Sequence, residues 1–327
     1  MNATDIVYFF LLFLIALGSD SVSKYPGSES FSFHQTYLSL FIPFSIYLSF
    51  TLNQLWEFLY ASYFGSRKGM SLLLILWILA CFLTLSNHPQ WTPGHLFQIL
   101  VYWGGAILWS WIGTKTDERS GRHILLWSLS VLWLYVPIEF SWFPSFLLPP
   151  EAADGIPILR IWTMGWALFL FLYVWKTKNL GFDFRWNRVD FKNYAIYTTA
   201  LGLLLLPIGV LLRILHYHPA VFSLKLLIFF PSIYFVTALP EEFLFRGLIQ
   251  NKLERFMGPG IALGAASVLF GLAHLNQAPA AGWKYFLAAT LAGLAYGRTY
   301  QKTGKITLAA LVHASVNWLG LVLFQFQ

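Results

Sequence analysis

Residues 225–250 read KLLIFFPSIYFVTALPEEFLFRGLIQ. The run is long enough to cross a bilayer, which takes about 20 apolar residues. Its second half nevertheless carries Glu241, Glu242 and Arg246. A charge at the bilayer centre costs roughly 2.5–3.5 kcal/mol on insertion scales, so three ionisable groups in one run need partners or a purpose. On a helix turning ~100° per residue, Glu242 and Arg246 stand four apart and share a face. Glu241 points about 100° away from Glu242. The simplest division pairs Glu242 with Arg246 inside the protein and turns Glu241 toward a cavity, where a carboxylate stripped of water suits a general base. From this run alone, a pair of ion-paired acids at a cytoplasmic helix end is an equally open reading.

The rest of the chain repeats the apolar theme. Of 327 residues, 57% are hydrophobic and 11% charged, against roughly 25% charged in soluble domains. Aromatic residues reach 19%, with 31 Phe and 15 Trp, more than one soluble core would hide. Apolar segments lie near 6–19, 37–56, 70–86, 95–113, 123–143, 157–175, 194–215, 225–250, 260–275, 284–300 and 307–325. They predict an all-α, polytopic transmembrane bundle of about 8–11 membrane helices. The segment at 6–19 is short and has no Lys or Arg before it, which favours a retained first span over a cleaved signal.

The net charge of +7 does not point to nucleic acid, because the basic residues sit in short gaps between apolar runs rather than on one face. The gaps at 57–69, 114–122 and 176–193 hold Arg67, Lys68, Lys115, Arg119, Arg122, Lys176, Lys178, Arg185, Arg188 and Lys192; those at 20–36, 87–94 and 144–156 hold only Lys24. That asymmetry places the first set in the cytoplasm, together with Lys252, Arg255, Lys302 and Lys305 and, by alternation, the N-terminus. A bacterial cytoplasmic membrane is the expected setting. The single cysteine, Cys81, allows no internal disulfide and no cysteine-based metal site. The polar gap at 176–193 divides the chain into an N-terminal multi-span region, 1–193, whose role the sequence leaves open, and a C-terminal region, 194–327.

Two further polar pairs follow in the C-terminal region. Phe270 and His274 are four apart in SVLFGLAHLNQ; His313 and Asn317 are four apart in LAALVHASVNWLG. A lone histidine in an apolar helix is most simply an interhelical hydrogen-bonder, and Phe270 is most simply core packing that supports the imidazole. The His313/Asn317 pair is harder to read that way, since both project from one stripe of an apolar helix.

Taken in order, E-E-x-x-x-R at Glu241–Arg246, F-x-x-x-H at Phe270–His274 and H-x-x-x-N at His313–Asn317 resemble the signature of the CAAX-protease and bacteriocin-processing family of intramembrane endopeptidases. The likeness covers roughly 194–327. It implies hydrolysis of peptide bonds in membrane-embedded or lipid-anchored proteins or peptides, with membrane lipids as the other partners. By motif position, Glu241 and His274 would activate water, and His313 and Asn317 would hold the oxyanion. Glu242, Arg246 and Phe270 would support them. The resemblance leaves metal dependence open, and no obligatory cofactor is the expectation. Zinc on one carboxylate and two histidines is the alternative, although no His-Glu-x-x-His pairing appears on one helix. A non-proteolytic scaffold or bacteriocin self-immunity protein on the same fold, and a proton-coupled transporter, are the competing readings.

Overall fold

Hydrocarbon offers backbone groups no water, so apolar segments must close their own hydrogen bonds as helices. The computed structural model describes residues 47, 49–50, 53–85, 90–118, 120–140, 142–143, 158–220, 226, 230–275 and 282–326. Its residues fall into two compact units that divide between 178 and 179, inside the polar gap at 176–193. The expected span at 6–19 and most of that at 37–56 lie outside the described residues. Among those described, five helices are long and apolar enough to cross a membrane, or six if one sharply bent pair counts as a span. The chain is an integral, multi-pass, helical membrane protein.

The N-terminal unit contains α1 (Asn53–Leu59), α2 (Arg67–Leu85), α3 (Pro93–Gly113), α4 (Gly121–Glu139) and α5 (Ile158–Phe169). The segment Leu55–Phe64 and α2 itself make the bent pair, at 118°. The expected span at 157–175 forms α5 and a following π-helical turn, a run shorter than the five. Tryptophans fill this core, and helix carbonyls or hydroxyls accept several of their N–H groups. Trp103 Nε1 donates to Thr163 at 3.2 Å, Trp175 Nε1 to Ser110 at 2.7 Å and Trp133 Nε1 to the Tyr102 carbonyl at 2.7 Å.

The C-terminal unit opens with a loop that fixes two helices at once. In α6 (Arg188–Leu211), Asn187 Oδ1 accepts from the backbone N–H of Val189 and Asp190, and Asp190 returns an acceptor to the Asn187 N–H at 2.9 Å. This reciprocal cap satisfies donors that a helix start leaves open. Lys305 Nζ bridges Asp190 Oδ2 at 2.5 Å and the Arg185 carbonyl at 2.7 Å. It thereby ties α6 to the start of α10 (Ile306–Leu323). Gly181 takes φ +80 here, and a Cβ on it would meet the Gly304 carbonyl at 2.3 Å, so only glycine lets these two backbones touch.

Between those helices, the stretches expected as separate spans at 225–250 and 260–275 fall within Phe230–Leu272, as two helical segments that meet at a kink. They comprise a π-helical turn at Ile233–Ala238, the short α7 (Leu239–Glu242), a second π-helical stretch at Phe243–Gln250, and α8 (Asn251–Leu272). The expected boundary survives as a break inside α8: Gly258 adopts φ 76 and ψ 165 ahead of Pro259. Proline removes an N–H and crowds the preceding turn, and glycine absorbs the reversal. Gln301 anchors the break through Nε2, which reaches the Pro259 carbonyl and Glu254 Oε1, both at 2.8 Å.

α9 (Gly282–Thr303) packs closely on α8, yet is not among the five membrane-crossing helices. The expected spans at 194–215 and 307–325 each stop short of their last residues. There the chain extends into β1 (Leu215–Tyr217) and β2 (Phe324–Phe326), which pair antiparallel.

The α8–α9 contact is made by small residues. A Cβ on Gly271 would lie 2.1 Å from Thr290 Oγ1 and 2.7 Å from the Phe286 carbonyl, whereas one on Gly264 would meet nothing within 4 Å. Gly271→Ala therefore lowers stability by about 1–3 kcal/mol through overpacking, and Gly264→Ala does not. Thermal unfolding of the two variants in detergent checks this.

Candidate active site

Pro240 shapes the segment that carries the acids. It has no N–H to give the preceding turn, and its ring crowds the carbonyl four residues back. The helix before it widens, and the Leu239 N–H donates to the Tyr234 carbonyl five residues back. π-Helical insertions of this kind concentrate at functional sites. Here they bracket Glu241 and Glu242 on both sides.

The two acids meet different surroundings. Glu242 has no exposed surface. Arg246 Nε lies 3.1 Å from its Oε2, and His313 Nδ1 lies 2.9 Å from its Oε1. The first contact is an ion pair without an aligned hydrogen bond; the second is a hydrogen bond across 71 residues of sequence. Glu241 keeps 26% of its side-chain surface exposed, and its Oε2 stands 3.8 Å from His313 Nε2. One imidazole thus faces both carboxylates, one through each ring nitrogen.

Arg246 is itself wholly buried. Its Nη2 donates to the Gly293 carbonyl at 3.0 Å, and its guanidinium lies 4.6 Å from the Phe270 ring centroid and 5.6 Å from that of Tyr296. Aromatic faces are electron-rich and stabilise a cation, more so where water is excluded. Phe270 packs nearly perpendicular to Phe245, Tyr296 and His313, and its centroid lies 4.6 Å from that of His274. It is a hub of the cluster and more than support for one histidine.

His274 lies in the turn just past the end of α8, half-buried, with Nδ1 2.8 Å from the Phe270 carbonyl. A carbonyl only accepts, so Nδ1 carries a proton and donates it to the Phe270 oxygen. Asn317 lies one turn beyond His313 on α10 and is half-buried. Among the described residues, no hydrogen bond or ion pair joins it to the other six residues singled out by sequence.

The structure brings Glu241, Glu242, Arg246, Phe270 and His313 into one contact network and sets His274 against it through Phe270. Two participants escaped the sequence reading. Gly293 admits the Arg246 head, since a Cβ there would stand 3.3 Å from Nη2. Tyr296 is buried and stacks on His313. The signal for both was the small-residue spacing of Ala289, Gly293 and Gly297, which marks a close helix–helix face.

Among the described residues, no group of three His, Cys, Asp or Glu side chains stands close enough to hold a metal ion.

Residues 223–319 match the family model described as type II CAAX prenyl endopeptidase Rce1-like. The matched stretch contains every residue of the cluster. It supports the CAAX-protease and bacteriocin-processing family of intramembrane peptidases and, in general terms, a CAAX-type endopeptidase activity. No curated protein and no solved structure matches the chain.

Removing one partner of a buried ion pair strands the other and typically costs about 3–5 kcal/mol. Arg246→Met should show that loss as a lowered unfolding midpoint. Because the residues are in contact, adding Glu242→Gln to Arg246→Met should recover part of it. A double-mutant cycle in detergent measures the coupling.

Proposed function

We propose that the chain is an intramembrane endopeptidase in which Glu241 activates water. The observation that carries this reading is the contrast between adjacent carboxylates. Glu242 is enclosed by Arg246 and His313, while Glu241 keeps an exposed edge beside the same imidazole. A base must reach water and substrate, and of the two acids Glu241 has that access.

In the proposed reaction, Glu241 takes a proton from water as the water oxygen attacks the scissile carbonyl carbon. The carbonyl electrons move onto oxygen, and His313 and Asn317 donate to that oxyanion. The C–N bond then breaks as the proton held by Glu241 passes to the leaving nitrogen. His274 assists the water through its Nε2 lone pair. The oxyanion role requires His313 in its imidazolium form, because Nδ1–H is already given to Glu242. No step here passes through a metal.

The substrate class is a membrane-embedded or lipid-anchored protein or peptide. The basic loops at 57–69, 114–122 and 176–193 set the cytoplasmic side, with the N-terminus on that side as well, in a bacterial cytoplasmic membrane.

Purified protein in proteoliposomes, given a farnesylated CAAX-type peptide, should release the C-terminal tripeptide. Glu241→Gln should lower cleavage by about 10²–10⁴-fold, the span of general-base catalysis, with the unfolding midpoint near that of wild type. A chelator should leave wild-type cleavage unchanged. Full cleavage by Glu241→Gln would remove Glu241 from the mechanism, and loss under chelator would replace the base with a metal.

A further inference from the structure

Three partners surround the His313 ring, and each holds a different part of it. Glu242 Oε1 holds the Nδ1 edge at 2.9 Å. Phe270 stands perpendicular to the ring, with centroids 5.7 Å apart and planes at 85°. Tyr296 covers a face: the two ring centroids are 4.5 Å apart and the planes differ by only 11°. Glu241 Oε2 lies on the remaining side, 3.8 Å from Nε2.

The imidazole turns about its Cβ–Cγ bond, and the hydrogen bond at Nδ1 restrains that torsion as a single bond does. The rotation swings Nε2 out of the present ring plane. A parallel ring in van der Waals contact resists it strongly, because tilting drives one edge of the imidazole into the stack. Tyr296 is itself enclosed: it is 2% exposed, Phe270 packs perpendicular to it, and it lies between Gly293 and Gly297 on the face of α9 that meets α8.

We infer that Tyr296 is a positioning residue for His313, whose stacked ring fixes the imidazole plane and hence the direction in which Nε2 faces Glu241 and the reacting carbonyl. Its catalytic consequence rests on the endopeptidase reading; the orientation of His313 does not. The Tyr296 ring performs this function, and its hydroxyl is not needed. The ring face also lies on the electron-rich side that favours a cation, the form in which His313 serves an oxyanion. The other groups facing the imidazole are accounted for: Glu241 and Glu242 on the α7 run, and Arg246 next to Glu242.

The test uses wild type, Tyr296→Leu and Tyr296→Phe as full-length protein in nanodiscs. A ring stacked on an imidazole face shifts its carbon-bound protons upfield, so the His313 resonances, assigned by their loss in His313→Gln, report the stack without any activity. The shift should be present in wild type, absent in Tyr296→Leu and restored in Tyr296→Phe. With the farnesylated CAAX-type peptide, Tyr296→Leu should lower kcat about tenfold, the upper range of an aromatic pair, at unchanged KM, and Tyr296→Phe should recover it. Absence of the upfield shift in wild type, or its persistence in Tyr296→Leu, overturns the inference. A kcat unchanged in Tyr296→Leu, or lowered equally in Tyr296→Phe, also overturns it. If wild type cleaves nothing, the endopeptidase reading fails and the resonances alone decide the position of Tyr296.

Discussion

The carboxylate of Glu242 has no exposed surface, and the C-terminal unit is organised around keeping it satisfied. Burying an ion in a protein costs several kcal/mol even after relaxation. Arg246 answers one oxygen and His313 the other. Each answer creates a new obligation. The guanidinium needs the Gly293 carbonyl and two aromatic faces. The imidazole needs α10 held at a fixed height, which the loop before α6 provides through Lys305 and Gly181. A single carboxylate thus draws the α7 run, α9 and α10 together, and the loop before α6 with them.

What the sequence made legible follows the distance over which each rule acts. The pairing of Glu242 with Arg246 is a four-residue relation on one helix, and spacing alone exposes it. The bond from Glu242 to His313 spans 71 residues and needs the fold to be known. Both histidines and Asn317 were visible because polar groups stand out in hydrocarbon. Tyr296 was not, since an aromatic residue in a chain with 16 Tyr carries no contrast. The short β1–β2 pairing was hidden too, because its apolar residues continue the pattern of the helices they follow.

Helix identity was likewise easier to read than helix shape. The apolar runs near 95–113, 123–143 and 307–325 appear as α3, α4 and α10 with small shifts at their ends. The runs at 225–250 and 260–275 stay distinct, because the backbone leaves helical geometry at Gly258, ahead of Pro259, and the chain kinks there. The π-helical stretches around Pro240 were out of reach. A proline inside an apolar run predicts a disturbance, but whether the helix kinks, breaks or widens depends on what its open carbonyls meet. Here it widens, and the two acids are carried on the short α-helical piece left between.

That local shape explains how neighbours in sequence come to hold opposite roles. Two carboxylates side by side in hydrocarbon would repel each other, and neither would be tolerable alone. The helix separates them by direction, so that one faces the interior and the other a partly open side. The interior acid is then neutralised by a guanidinium and fixes an imidazole, and the imidazole returns its second nitrogen toward the outer acid at 3.8 Å. Glu242 therefore shapes the field that Glu241 experiences through His313 rather than by direct contact. Such an arrangement tolerates little slack, because a rotated imidazole would present its π-face to Glu241 in place of Nε2. A rigid aromatic wall behind His313, set on a glycine-lined helix contact, is what that constraint demands, and Tyr296 supplies it.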